Sequence, residues 1–157
     1  VSEREDEMKK FLDSDDDHLL VIGKPEPPMA YEESLNMNPS SRAIRIAADN
    51  GWRVDFPAAD ELFIDIDGDY SLTKFNQNLL VLDRMIGVLA HQETPSKSGE
   101  VGKFHARVRL RRELKGNVER VMLQAMMGSD PTRELLSLER ILVNDPQPTL
   151  FYEKENQ

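Results

Sequence analysis

A chain of 157 residues holds one compact domain of ordinary size and leaves no room for two full ones. Its 39% apolar and 31% charged residues include no run of 18 or more apolar residues, which excludes a membrane-spanning helix, and the absence of cysteine excludes disulfides, a thiolate nucleophile and Cys-ligated zinc. The net charge of -9 is unevenly spread: residues 1–38 hold 11 acidic and 4 basic side chains, whereas residues 39–157 hold 18 and 16.

In chain order, residues 1–38 alternate acidic clusters with one apolar run at 19–22 and a stretch containing Pro25, Pro27 and Pro28, the pattern of an acidic arm ahead of a single domain over 39–157. Pro39, Ser40 and Ser41 start a short helix whose apolar positions Ile44, Ala47 and Ala48 recur until Asn50 and Gly51 stop it. Residues 52–56 alternate, and residues 62–67 form the clearest strand, closed by Gly68. A helix is predicted over 72–87 on the stripe Leu79, Leu82, Met85, Ile86 and Leu89, with His91 at its end. Residues 94–102, rich in Pro, Ser, Gly and Lys, read as a loop, and residues 103–110 alternate as a second strand. Helical spacing over 118–127, a break at 128–131, a further helix through Ile141 and a closing strand over 148–152 complete the order. The expected class is α+β, a mainly antiparallel sheet with helices packed on one face and an open functional face.

Strand side chains alternate between faces. Leu62, Ile64 and Ile66 should face the helices and leave Phe63, Asp65 and Asp67 outward; Phe104, Ala106, Val108 and Leu110 should face in and leave Lys103, His105, Arg107 and Arg109 outward. If the strands are neighbours, one face carries two carboxylates beside an imidazole and guanidinium groups. Mg²⁺ and Mn²⁺ prefer oxygen ligands, and aspartates two apart on a strand project together about 7 Å apart. Asp65 and Asp67 are therefore candidate metal ligands for phosphoryl transfer, and Asp130 is the best-placed third, with Asp69 second. The plainer reading of Asp130 is a helix cap before Pro131. His105 shares its face with basic residues and is a candidate phosphate contact, although a lone strand histidine is more often structural. Ser96, Lys97 and Ser98 lie in a loop able to wrap phosphates. Residues 97–120 hold 8 basic and 3 acidic side chains, a surplus that would suit an anion or an ordinary solvated surface.

Residues 62–67, the Ser98-Gly99 turn followed by His105, and the segment 128–130 resemble the three signature motifs of the archaeo-eukaryotic primase superfamily, and are similar to segments of small primase-like phage proteins. The resemblance covers about residues 39–152. It implies a primase-like, RRM-like fold, metal ligation by Asp65, Asp67 and Asp130, and nucleotide contact by Ser98 and His105. The expected function is Mg²⁺- or Mn²⁺-dependent nucleotidyl transfer on a single-stranded DNA template with nucleoside triphosphates. Ser96 and Lys97 would assist in holding the triphosphate, and Arg107 and Arg109 would steer phosphates or template. The interval from Ser98 to His105 is longer than the family's second motif, and Asp130 follows a helix where the family places its third aspartate on or beside a strand. The acidic arm would mask the basic face or bind a helicase or other replication protein. No membrane is expected as a partner, and the location expected is cytoplasmic, including a phage-infected host.

Residues 65–68 also resemble the nucleophile motif of haloacid-dehalogenase-like phosphatases, but Asp69 stands where that motif has Thr. An EF-hand loop from Asp65 would put Tyr70 at the obligatory glycine and Asn76 at the bidentate glutamate. The alternative of another class is a catalytically inactive primase-like protein that binds nucleic acid or nucleotide; only Phe63 would offer a stacking surface.

Overall fold

The computed structural model describes residues 38–96 and 98–154. The arm expected over 1–38, apart from Asn38, and the triphosphate contact expected of Lys97 lie outside the described residues. The elements are α1 (Pro39–Asp49), β1 (Trp52–Asp55), β2 (Glu61–Asp67), α2 (Asp69–Met85), β3 (Val88–Pro95), β4 (Lys103–Leu110), α3 (Asn117–Met126), α4 (Pro131–Leu142) and β5 (Phe151–Lys154). The fold is α+β, with a three-stranded antiparallel sheet of order β2-β4-β3 and a two-stranded ribbon of β1 and β5. No helix among the described residues is long and apolar enough to cross a membrane.

The alternation in β2 and β4 builds the main core. Leu62, Ile64 and Ile66 join Ala106, Val108 and Leu110 against Phe75 and Leu82 of α2 and Met127 just after α3. Each is buried, so the inward half of the pattern is as the sequence indicates. Helix α1 begins where the Asn38 side chain accepts the Ser41 N–H at 2.9 Å with Pro39 in the first turn.

Three expectations are corrected. Residues 88–95 are a strand, β3, not a helix end followed by a loop, and His91 lies within it. Most of its side chains are exposed and its pairing is shifted between Val88 and Ala90, so it carries no apolar alternation to betray it. Gly87, at φ +96, makes the turn into it. Second, the outward face of β2 and β4 is covered along much of its length. Phe151 stacks parallel to Phe63 at 4.4 Å and to His105 at 4.0 Å, leaving these two residues 0% and 3% exposed. Third, the helices do not share one face: α2 and α3 pack under the sheet, whereas Ala43 and Ala47 of α1 pack against Leu150 and Tyr152 on the ribbon. The closing strand alternates in two directions, Tyr152 toward α1 and Phe151 and Glu153 toward the sheet.

The turn between α3 and α4 is pinned to the start of α2. Gly128 stands at φ +92, a β-carbon there would lie 2.8 Å from the Ser71 carbonyl oxygen, and the Ser71 hydroxyl donates to the Gly128 carbonyl. Gly128→Ala is expected to lose about 2 kcal/mol or more in urea unfolding. Gly51→Ala, where a β-carbon meets nothing within 4 Å, should lose only about 1 kcal/mol.

Candidate functional site

β2 and β4 are adjacent and antiparallel, with Asp67 opposite Lys103, Asp65 opposite His105, Phe63 opposite Arg107 and Glu61 opposite Arg109. Acidic side chains of one strand therefore face basic ones of the other at three of four outward positions. The ends differ in access. Phe63 and His105 are buried under Phe151, Asp65 is half-buried, and Asp67 is exposed.

At the exposed end, the Lys103 ammonium lies 3.3 Å from Asp67 Oδ1 and 2.9 Å from Glu100 Oε2. The hydrogen bond to Glu100, joined by that to Asp67, outweighs desolvation and pushes Lys103 up to about 12. The loop joining β3 to β4 is tied to the end of β2, because the Gly68 N–H donates to the Gly102 carbonyl at 2.9 Å. Within that loop Ser96 is buried and Ser98 exposed, their hydroxyl oxygens 3.1 Å apart. The Ser98 N–H donates to Ser96 Oγ and the Gly99 N–H to the Ser96 carbonyl, so these two amides close the turn itself.

Asp65 is fixed through its backbone by the segment after α3. Its N–H donates to Ser129 Oγ at 3.0 Å, and its carbonyl accepts from the Asp130 N–H at 2.8 Å. Asp130 thus lies beside β2, held there through its own amide. It is also the N-cap of α4, its Oδ1 accepting from the Thr132 N–H at 3.3 Å. The free edge of β2 continues in this manner: Gln124 Oε1 accepts from the Phe63 N–H at 2.8 Å, Arg133 donates to the Phe63 carbonyl, and Arg120 Nε donates to the Glu61 carbonyl at 3.0 Å. Side chains replace the missing neighbouring strand, as an otherwise unpaired edge requires. Glu134 organises them, accepting from Gln124 Nε2 at 3.0 Å, Ser129 Oγ at 3.0 Å and Arg133 Nη1 at 2.6 Å.

His105 and Arg107 belong to a second cluster. His105 Nδ1 lies 3.0 Å from Glu153 Oε1, and since an ionised carboxylate only accepts, the ring donates from Nδ1. Arg107 Nη2 donates to Asp55 Oδ2 at 2.7 Å and to Glu153 Oε1 at 3.2 Å, its guanidinium 4.7 Å over the Phe63 ring. Burial alone would raise the Glu153 carboxyl, but His105 and then Arg107 outweigh it and hold it below its ordinary 4.5. Asp55 is likewise lowered, by Arg107 and Arg53 against desolvation. A depressed carboxylate contributes its full stabilisation above its unfolded value and loses it as pH falls through its folded one. Glu153→Gln should therefore lower the melting temperature at pH 7 and flatten its fall below about pH 4.5, so that the two melting curves approach each other as the pH drops further.

Arg109 donates to Asp60 Oδ2 at 2.9 Å, about 20 Å along the sheet from Asp67, and does not join either group. Arg112 pairs with Glu119 at 2.7 Å, and Arg120 is buried on backbone carbonyls. Much of the basic surplus in 97–120 is therefore neutralised within the fold.

Among the described residues no group of three or more His, Asp or Glu side chains is placed to hold a metal ion. Mg²⁺ is commonly bound by one or two carboxylates completed by water and substrate phosphates, and Asp65 and Asp67, side by side on one strand face, supply that donor set. The residues fit the ion on this chemistry. A groove of about 540 Å³ on α3, lined in part by Val118, Met122, Leu123 and Met126, contains none of the candidate residues.

Sequence reasoning missed Glu153, Asp55, Gln124, Arg133 and Glu134. One signal pointed toward the first of these: an outward phenylalanine on a strand needs an apolar cover, and Glu153 directly follows the apolar run Leu150, Phe151 and Tyr152. No protein-family model, curated protein or solved structure matches this chain.

Proposed function

We propose that the chain is a small nucleotidyltransferase core of the primase/polymerase type, with the RRM-like sheet of the archaeo-eukaryotic primase superfamily and dependence on Mg²⁺ or Mn²⁺. The observation that carries this reading is the register of β2 and β4. It sets Asp65 and Asp67 opposite His105 and Lys103, with the Asp130 amide bonded to the Asp65 carbonyl.

Asp65 and Asp67 hold the ion, with Asp130 beside them. When bound, the ion neutralises the triphosphate and lowers the pKa of the attacking hydroxyl. Ser98 at the exposed loop and Lys103 at the end of β4 bind the triphosphate. Lys97, by its place in the sequence, belongs with them. Glu153 takes the Nδ1 hydrogen bond of His105, so a phosphate contact would fall to Nε2, with both ring nitrogens donating as in an imidazolium. Arg107 and Arg109 contribute through the field of the sheet rather than by reaching the ion. A single-stranded DNA template is the acceptor strand's guide, and the acidic arm is the natural contact for a helicase or other replication protein.

The test is incorporation of labelled nucleotides on primed and unprimed single-stranded templates with Mn²⁺ or Mg²⁺, wild type against the Asp65→Asn/Asp67→Asn double variant. One observation favours the alternative of a catalytically inactive binder. His105 Nδ1 and Arg107 Nη2 already serve carboxylates of the ribbon, and the His105 ring is 3% exposed beneath Phe151, so those donors are withheld from a phosphate. That reading expects binding of nucleotide or single-stranded DNA to survive the double substitution without any turnover in the wild type.

A further inference from the structure

Lys103 was expected only as one of several outward cations, and its position is more specific. It is the first residue of β4, directly opposite Asp67, and its ammonium is shared between Asp67 at 3.3 Å and Glu100 at 2.9 Å. All three side chains are solvent-accessible, Lys103 at 33%, Asp67 at 47% and Glu100 at 60%, so the ammonium can change partners without opening the core. A lysine is a compact charge on a flexible stem with three donors, suited to such exchange.

We propose that Lys103 is the counter-ion of the metal-free site: it neutralises Asp67 until a divalent ion arrives with a triphosphate, and then passes from the carboxylate to the phosphates. This rests on the metal-dependent reading above and deepens it by assigning an order of loading. A divalent ion on Asp67 would compete for the oxygen that the ammonium contacts, and two cations at one carboxylate repel. An ion arriving alone must displace Lys103 toward Glu100. An ion arriving with a triphosphate brings anionic oxygens that give the ammonium a new partner. The site therefore favours the metal–triphosphate complex over the bare ion.

The experiment is titration of the full chain with Mn²⁺, following free Mn²⁺ by electron paramagnetic resonance, with and without inorganic tripolyphosphate. Wild type, Lys103→Met, Lys103→Arg and Asp67→Asn are compared. Lys103→Met should bind Mn²⁺ alone about fivefold or more tightly than wild type, and should lose most of the gain that tripolyphosphate gives wild type. Lys103→Arg, which keeps the charge, should stay near wild type without tripolyphosphate. Equal Mn²⁺ affinity in wild type and Lys103→Met overturns the counter-ion role, and an undiminished tripolyphosphate gain in Lys103→Met overturns the transfer to phosphate. If Asp67→Asn weakens Mn²⁺ binding while Lys103→Met leaves it unchanged, this proposal falls and the metal site stands. If no variant holds Mn²⁺, both fall. If Lys103→Met tightens Mn²⁺ as expected but wild type incorporates no nucleotide, the counter-ion role stands and nucleotidyl transfer falls.

Discussion

The double substitution Asp65→Asn/Asp67→Asn is expected to lower nucleotide incorporation by about 10³-fold or more, while the protein keeps its fold. The size follows from what the carboxylates provide. Asn preserves shape but withdraws two negative charges, and a metal's stabilisation of the developing charge is worth several kcal/mol, with about 1.4 kcal/mol to each factor of ten. The fold should persist, because the backbone hydrogen bonds of Asp65 to Ser129 and Asp130 survive the change to Asn, and Asp67 is exposed. The Lys103 ammonium freed from Asp67 keeps Glu100. The paired measurement is product formed per hour in Mn²⁺ and melting temperature of both proteins. Equal product from wild type and variant, with both folded, would remove the carboxylates from the chemistry and with them the catalytic reading. Loss of product together with a melting temperature many degrees lower would implicate the fold instead, and the single variant Asp67→Asn, at an exposed position, then carries the test.

The legible part of the molecule is the part written in short-range pattern. Period-two alternation in 62–67 and 103–110 announces both strands and their inward faces, and the charges at alternate positions anticipate the acid-to-base pairing across β2 and β4. β3 is hidden because an edge strand exposed on most positions needs no apolar face; Gln92 and Glu93 read equally well as loop. The ribbon is hidden for a different reason. Glu153 meets His105, and Phe151 meets Phe63 and His105, through contacts far apart in sequence that no local window contains. Glu134 shows how context inverts a local rule. An acidic residue in the first turn of a helix ordinarily serves the helix dipole at the surface, yet this one is 3% exposed and gathers three donors. Asp130 shows how two readings can both hold, since one residue caps α4 and also adds its amide to the edge of β2.

Arg133→Ala is expected to be the most damaging single change to stability, costing about 3–5 kcal/mol out of the roughly 5–15 kcal/mol typical of a domain. Its side chain is among the largest fully buried ones, 1% exposed. It joins elements that share no backbone pairing: Nη1 donates to the Phe63 carbonyl in β2 and to Glu134, Nη2 donates to the Leu150 carbonyl at 3.2 Å just before β5, and the guanidinium lies 5.0 Å over the Phe151 ring. Truncation removes those donors at once, leaving a buried carboxylate without its cation and an unfilled volume beneath Phe151. Arg133→Met separates charge from packing, because it keeps the aliphatic bulk and loses only the donors. If the charge carries the effect, Met should cost nearly as much as Ala, and adding Glu134→Gln to Arg133→Met should cost less than the sum of the two single changes by about 1 kcal/mol or more. Urea unfolding of the four proteins measures each quantity. A loss below about 1 kcal/mol for Arg133→Ala would mean that the ribbon and the edge of β2 are held without it. A large loss in Ala with none in Met would place the stabilisation in packing against Phe151. The charge-borne outcome alone ties the ribbon that covers His105 to the same buried group that fixes the strand of Asp65, so that the covered and exposed halves of the site keep their register together.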